Sequence, residues 1–245
     1  MTNIPFNFEE GEILLIDKPL HWTSADVTRK VRNATHIAKT GHAGTLDPLA
    51  TGLLVVCVGR KATAQIDRLQ DTDKEYTGII GLGASTPSYD LETAIDHTFE
   101  TAHLTVQAIE QTAKLFVGNI MQTAPIYSAI KVDGKPMYKK AHKGIAVEAK
   151  TRPVRIVEFE ITQIALPDVH FRIVCGKGTY IRSIAHDFGK ALQNGGHLKA
   201  LRRTKSGSFD IENAWQLEQL IEEIKRQRAY LEAQKTISPN DIQQK

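Results

Sequence analysis

Within the chain of 245 residues, one stretch concentrates groups that could do chemistry: Gly41-His42-Ala43-Gly44-Thr45-Leu46-Asp47-Pro48-Leu49-Ala50-Thr51-Gly52. Its glycines demand sharp turns and a close approach of other groups to the backbone. Pro48 fixes its own φ and biases Asp47 away from helical angles. One carboxylate is thereby held on a stiff loop, and an apolar run from Leu53 to Val58 follows at once. That is how a chain presents a single acid from the edge of a packed sheet, as a nucleophile or as a proton acceptor. The same pattern also serves as a structural Asp-Pro turn.

The elements that must position this loop can be read on both sides of it. Ile13-Leu14-Leu15-Ile16 predicts a buried strand over Glu12 to Asp17, ended by the turn Asp17-Lys18-Pro19. Thr23 or Ser24 caps a helix running to about Ala34, and Asp26 completes an approximate capping box. After the loop, Leu53 to Val58 reads as a central strand, Lys61 to Leu69 as a helix and Glu75 to Leu82 as a strand with Tyr76 near its start. Thr105 caps an amphipathic helix with Val106, Ile109, Ala113, Phe116 and Val117 on one face, closed by Gly118. Asp133-Gly134 is a turn, and Pro136 can start a short basic helix running to Gly144.

Residues 152 to 164 and 168 to 175 read as paired strands. Gly176-Lys177-Gly178 leads into a last core helix, capped by Thr179 and ended by Gly195-Gly196. Its buried stripe is Ile181, Ile184, Ala185, Phe188 and Leu192. Trp215 to about Gln234 is one charged helix. Strands and helices interspersed without a regular βαβ rhythm predict an α+β domain on a mostly antiparallel sheet.

Composition narrows the function classes. A hydrophobic share of 41% supports a substantial core. No apolar run approaches the ~18 residues of a membrane span, and Met1 to Glu10 has neither the basic head nor the apolar core of a secretion signal. A cytoplasmic protein is expected. Cys57 and Cys175 lie inside apolar runs without Cys-x-x-Cys spacing and read as reduced core residues. No His or Cys pair with ligand spacing stands beside acids, so no metal site is expected. The Gly176 to Gly178 turn lacks the spacing of a Walker loop or a dinucleotide fingerprint. Net charge is only +3, but its distribution is uneven. Residues 131 to 155 hold eight Lys or Arg against two acids, and Lys199 to Lys205 holds four bases in seven. Two such runs with aromatic and glycine loops favour a polyanion, with RNA the natural choice.

The stretch from Gly41 to Gly52 resembles the catalytic loop of the TruB family, the bacterial tRNA pseudouridine 55 synthases. Further matching motifs follow in order. They are Asp17-Lys18-Pro19 with Thr23-Ser24, Lys74-Glu75-Tyr76, and Gln122 to Lys131, where Ala124 replaces the first proline of Gln-x-Pro-Pro-x-Tyr-Ser-Ala-x-Lys. Then come Gly176 to Arg182, with Gly176 in place of a frequent serine, and Leu201-Arg202-Arg203 followed by Gly207 and Phe209. Residues 83 to 90 depart from the family's Thr-Asp-Thr-x-Asp form, a difference expected to touch no reacting group. The resemblance covers residues 11 to 209 as a catalytic domain, with 1 to 10 an N-terminal extension and 210 to 245 a C-terminal helix and tail. It makes the chain a short form, without the additional C-terminal RNA-binding domain of many members.

The resemblance implies the pseudouridine synthase fold: α+β, with a mixed, mostly antiparallel central sheet flanked by helices and a central RNA-binding cleft. It implies isomerisation of uridine 55 in the T-arm loop of tRNA, with the uridine flipped out, its uracil detached, rotated and rejoined through carbon 5. In that scheme Asp47, Tyr76 and Arg182 are catalytic. Arg182 keeps the carboxylate charged and oriented, and Tyr76 stacks on the uracil and assists carbon-5 deprotonation. His42 fills or buttresses the vacated stack, and Tyr180 and the backbone near Leu201 line the base pocket. Lys18 is either a phosphate ligand or a brace for the catalytic loop. Lys131, Lys139, Lys140, Lys143, Arg202 and Arg203 are the expected phosphate contacts. No cofactor, metal, membrane or protein partner is expected, and the protein is expected to be a monomer. Asp47 adding to the sugar, adding to the ring or acting as a base are all compatible with these residues. Two readings from other classes stand beside this one. A non-catalytic RNA-binding or tRNA-folding chaperone would not need Asp47, and a hydrolase would need a second essential carboxylate, for which Asp90 is the nearest candidate.

Overall fold

The computed structural model describes residues 6–127, 131–132, 135–136 and 150–236. In chain order they form β1 (Glu12–Lys18), α1 (Ser24–Thr35), β2 (Thr40–Ala43), β3 (Ala50–Val58), α2 (Arg60–Thr63), α3 (Ile66–Gln70) and β4 (Lys74–Leu82). The short strands β5 (Ala84–Ser85) and β6 (His97–Thr98) precede α4 (Val106–Leu115) and β7 (Gly118–Thr123). Next come β8 (Lys131–Val132), β9 (Lys135–Pro136), β10 (Thr151–Ala165), β11 (Asp168–Cys175), α5 (Ile181–Ala191) and β12 (Gly196–Ser206). The chain closes with β13 (Phe209–Asp210), a 3-10 turn (Ile211–Asn213), β14 (Trp215–Gln216) and α6 (Leu217–Thr236). Two units result, one of residues 1–70 with 208–245, the other of residues 71–207.

In the first unit β3 is the spine, buried at every residue from Gly52 to Val58. β1 pairs with it antiparallel from Glu12↔Val58 to Lys18↔Gly52, β2 pairs with Val55 to Val58, and β14 joins β1 in parallel. Ala43, Leu53 and Val55 form a core under Ile13, Leu15 and Leu69 and the returning segment of Phe209, Ile211 and Ala214. α1 begins with a full capping box: Thr23 Oγ1 accepts from the Asp26 N–H, and Asp26 Oδ2 accepts from the Thr23 N–H. Such a cap contributes about 1 kcal/mol. α6 packs on α1 and buries Leu217, Leu220, Ile221 and Ile224, each worth roughly 2 kcal/mol. The helix expected over 61–69 is instead two short ones, because the Gln65 N–H reaches only three residues back, to the Ala62 carbonyl, and the α ladder breaks there.

The second unit carries an antiparallel sheet in the order β12–β4–β11–β10–β7. The strands expected over 152–164 and 168–175 are β10 and β11, paired with two bulges. α5 packs on β12 and α4 on β10. Phe159 is the hub of an aromatic cluster, with ring centroids 5.5 Å from Phe188, 6.0 Å from Phe116 and 6.1 Å from Phe171. The expected stripe of α5 is buried throughout. Its cap differs: Tyr180 is the N-cap, without a side-chain bond, and Thr179 Oγ1 donates to the Gly176 carbonyl. At its far end the helix backbone lies against the start of β12, so a Cβ on Gly189 would fall 2.3 Å from the Gly196 nitrogen. α4 is shorter than its periodicity suggests. Thr105 caps it as expected, but it stops at Leu115, so Val117 lies beyond the helix and is exposed, as is Val106 at the start. The basic helix expected from Pro136 to Gly144 lies outside the described residues, apart from Pro136 itself, which is in β9.

Both cysteines are reduced and buried, and burial pushes each thiol up to about 11. At pH 8 the thiolate fraction is then about one part in a thousand, and access is blocked as well. The native protein should resist alkylation by iodoacetamide, and both thiols should react once it is unfolded in guanidinium. Mass spectrometry of the native sample showing rapid labelling would contradict this core placement.

Candidate active site

The loop that carries Asp47 runs from the end of β2 to the start of β3. Gly44 sits at φ 94° and turns the chain out of β2, a conformation glycine adopts without strain. Three clamps then fix the backbone. Ser24 Oγ accepts from the Leu46 N–H at 2.8 Å and donates to the Leu46 carbonyl at 3.0 Å. The Pro48 carbonyl accepts from the His21 N–H at 2.8 Å and from Lys18 Nζ at 3.5 Å. The Ala50 N–H donates to the Asp47 carbonyl at 3.0 Å. Asp47 is half-buried between two residues whose backbone is tied on either side. His42 lies on β2 opposite Val56, two residues before Gly44.

Lys18 is 0% exposed. Its ammonium also donates to the carbonyls of Pro19 (2.9 Å) and Trp22 (2.6 Å). A buried cation surrounded by carbonyls cannot reach an RNA phosphate, so Lys18 belongs among the braces of the loop rather than the substrate contacts. Ser24 and His21 were not singled out by the sequence as loop supports. A second hydroxyl directly after a competent N-cap, with no capping duty of its own, was the available signal for Ser24.

In the second unit Arg182 occupies the first turn of α5 and is 4% exposed. Its Nη1 donates to the Tyr127 carbonyl at 2.9 Å and the Ser88 carbonyl at 3.3 Å, and its Nε lies 3.7 Å from Asp90 Oδ2. Asp90 is buried too, with its other oxygen accepting from the Glu92 N–H at 3.0 Å. The segment from 83 to 90, expected to touch no reacting group, therefore supplies two of the groups that hold Arg182. A departure from a sequence pattern changed the loop's residues without removing the acid at its end.

Tyr180 is fixed two residues earlier. Buried Gln122 accepts from its N–H through Oε1 (2.8 Å) and donates to its carbonyl through Nε2 (3.1 Å). The guanidinium carbon of Arg152 stands 5.2 Å from the centre of the Tyr180 ring, while its Nη2 donates to the Gly178 carbonyl. Tyr76, 9% exposed on β4, is flanked by Ile173 of β11 and Arg203 of β12. Burial, and then the neighbouring Arg203, hold the Lys74 ammonium below its ordinary pKa.

The basic run on β12 divides by strand alternation. Arg203 is 1% exposed, so the expectation of a phosphate contact there fails. Arg202, half-buried opposite Thr77, points to the other face, and Leu201 lies opposite Gly78. Lys199 is engaged with Asp168 at 2.7 Å, and Lys205 is exposed. Lys131 enters as a residue of β8, whereas Lys139, Lys140 and Lys143 lie outside the described residues.

Residues 32–181 match the family model described as TruB family pseudouridylate synthase, N-terminal domain, and residues 182–242 match that of the tRNA pseudouridylate synthase B C-terminal domain. The chain is 54% identical to tRNA pseudouridine synthase B of Flavobacterium johnsoniae, over 86% of this chain and 94% of that protein. It is 46% identical to the protein of the same name from Phocaeicola vulgatus, over 90% of this chain and 96% of that one. Among solved structures, it is similar to the crystal structure of a Cbf5–Nop10–Gar1 complex, with a TM-score of 0.69 and 29% identity. That match covers 90% of this chain, which spans 59% of the solved chain. A structure of an H/ACA RNP bound to a substrate RNA containing 2'-deoxyuridine gives a TM-score of 0.66 at 27% identity, over 95% of this chain and 57% of that one. The α+β architecture is thus that of a pseudouridine synthase. The chain belongs to the TruB family.

The clamps make a prediction that separates folding from function. Ser24→Ala removes both bonds to Leu46 and should cost about 1–3 kcal/mol of stability. Lys18→Met removes the ammonium from the Pro19 and Trp22 carbonyls, leaves Pro48 only its bond from the His21 N–H, and should cost about 3 kcal/mol. Both should lower kcat by more than KM changes, because the loop loses its fixed position while the remaining surface stays intact. Urea unfolding and steady-state kinetics check the two parts, and a Lys18→Met protein of unaltered stability would refute the bracing role.

Proposed function

We propose that the protein isomerises uridine 55 in the T-arm loop of tRNA to pseudouridine. The bond from the ribose carbon to N1 breaks, the uracil rotates and the ribose carbon rejoins at carbon 5. The hydrogen of carbon 5 leaves as a proton and N1 gains one, so the reaction is an isomerisation that needs no redox partner. In this reading the uridine is flipped out of its stack before reaction. Asp47 is the reacting carboxylate, Tyr76 the ring against the uracil and Arg182 the cation of the site. His42 supports the vacated stack, and Tyr180 and Leu201 bound the base. Arg202 and the lysines of the 131–143 segment take phosphates. The observation that carries this reading is the mounting of Asp47: a carboxylate left partly open on a loop whose backbone is clamped on both sides. A non-catalytic RNA-binding protein would have no use for that rigidity.

The names and lengths of the curated relatives support tRNA as substrate. The reading extends to a cytoplasmic enzyme working as a monomer. The related Cbf5 chain was solved with Nop10 and Gar1. Sedimentation of the purified protein with a T-arm hairpin, giving one protein chain per RNA, is the expected result here.

Asp47→Asn is expected to abolish release of tritium from uridine labelled at carbon 5, while RNA affinity changes by no more than a few fold, since affinity comes from phosphate contacts. Filter binding with the same tRNA supplies the second measurement. Turnover near wild type in this variant would eliminate Asp47 as the reacting group and leave the RNA-binding reading standing.

A further inference from the structure

Arg182 is gripped by a loop that itself holds an unusual shape. Tyr89, between Ser88 and Asp90, sits at φ 65°, a left-handed conformation that a bulky side chain adopts only where its surroundings impose it. Three contacts do so. The Tyr89 N–H donates to the Thr86 carbonyl at 3.1 Å, its carbonyl accepts from the Leu198 N–H at 2.8 Å, and its ring stacks on His186. The two ring centroids are 3.9 Å apart and the planes 15° from parallel.

His186 lies four residues after Arg182 on α5, and therefore on the same face one turn further along. The helix that carries the guanidinium thus also carries the platform for the loop that holds it. The buried Nδ1 of His186 has no hydrogen-bond partner among the described residues, so the stack rather than a polar contact at that atom fixes the ring. Burial, and then Lys190, keep the imidazole below its ordinary pKa, which favours the neutral ring. Burial, and then Asp187, push the Tyr89 phenol up, so it too stays neutral. Two uncharged, nearly parallel rings are the arrangement in which stacking is attractive without a desolvated charge.

We infer that the Tyr89–His186 stack is a positioning element for the isomerisation: it sets the loop so that the Ser88 carbonyl and the Asp90 carboxylate fix the orientation of Arg182. Neither ring is a catalytic residue, since both act through Arg182. The inference rests on the assignment of Arg182 to the reaction made above.

Single-turnover rates and KM for T-arm RNA test it in Tyr89→Leu, His186→Ala and Tyr89→Phe, each alone and in an Asp90→Asn background. Tyr89→Leu and His186→Ala should each lower the rate about tenfold or more with KM within about twofold, and Tyr89→Phe, which keeps the ring, should restore it. In the Asp90→Asn background Tyr89→Leu should add less than about twofold, because both changes act on the same guanidinium. Thermal melting accompanies each variant, and if Tyr89→Leu melts below the assay temperature, His186→Ala decides. Wild-type rates in both stack variants overturn the inference. So does a raised KM at unchanged rate, which would make the rings a stacking platform for RNA, and so does a full independent loss in the Asp90→Asn background. Wild-type rates in Arg182→Lys and Asp90→Asn would sink the assignment of Arg182 itself, whereas losses there with none in the stack variants sink only the stack.

Discussion

The buried ammonium of Lys18 sets the geometry around Asp47. Removing such a charge from water costs several kcal/mol unless its donors are satisfied, and here backbone carbonyls of Pro19, Trp22 and Pro48 do that. Two of these belong to the turn after β1 and one to the loop after β2, thirty residues on. Lys18 itself is placed by the last rung of the β1–β3 ladder, opposite Gly52. A strand register, a turn and the loop that carries Asp47 are therefore coupled through one cation. Shifting any of the three strands a carbonyl or buries an unsatisfied charge, and that penalty is what makes the loop stiff. Ser24 adds a second tie at Leu46 from the start of α1, so the helix and the strand both hold the short stretch from Leu46 to Pro48.

Arg182 shows the same physics with a different solution. A guanidinium offers five donors in a plane and is never neutral in a protein, so burying it requires acceptors arranged around that plane. The carbonyls of Ser88 and Tyr127 and the carboxylate of Asp90 meet that need. The Asp47 loop, by contrast, is held through its backbone, at Leu46 and at Pro48. The cation is held through its side chain, which leaves it little freedom to turn.

The two strongest sequence signals were short-range, and the structure agrees with them: the capping box at Thr23, and the apolar stripe of α5, buried from Ile181 to Leu192. The Asp47 loop was legible because glycine and proline dictate local backbone shape. What escaped were pairings between distant segments. The grip of Ser88 and Asp90 on Arg182 joins residues more than ninety apart, and nothing local in 83–90 announces it. The basic run on β12 was misjudged for another reason. Read as charge along a line it looks like a surface, but a strand turns alternate residues to opposite faces, so Arg203 goes inward while Arg202 does not. The C-terminal helix is expected from the sequence as a charged helix, but not its buried face, although Leu217, Leu220, Ile221 and Ile224 have the spacing of a buried stripe. Its many charges on the other faces hid that pattern.

Strand placement also bears on Tyr76. A loop residue can be adjusted by its neighbours, but a residue on a central strand is located by both adjoining ladders. Tyr76 is paired with Ile173 on one side and Arg203 on the other, and a slip of one residue in either register would move the ring to the opposite face of the sheet. β12 has register shifts between Leu198 and Ala200 and again between Arg203 and Lys205. These irregularities bracket the four residues Ala200 to Arg203, which lie opposite Ile79 to Tyr76 without interruption. Bulges re-aim side chains and confine the consequences locally. The pair of them isolates one short, regular patch that contains Tyr76, Leu201 and Arg202, three of the residues assigned to the uracil and the RNA. The twist that sheets must take can be accommodated at the two irregularities, while Ala200 to Arg203 keep an unbroken register with β4.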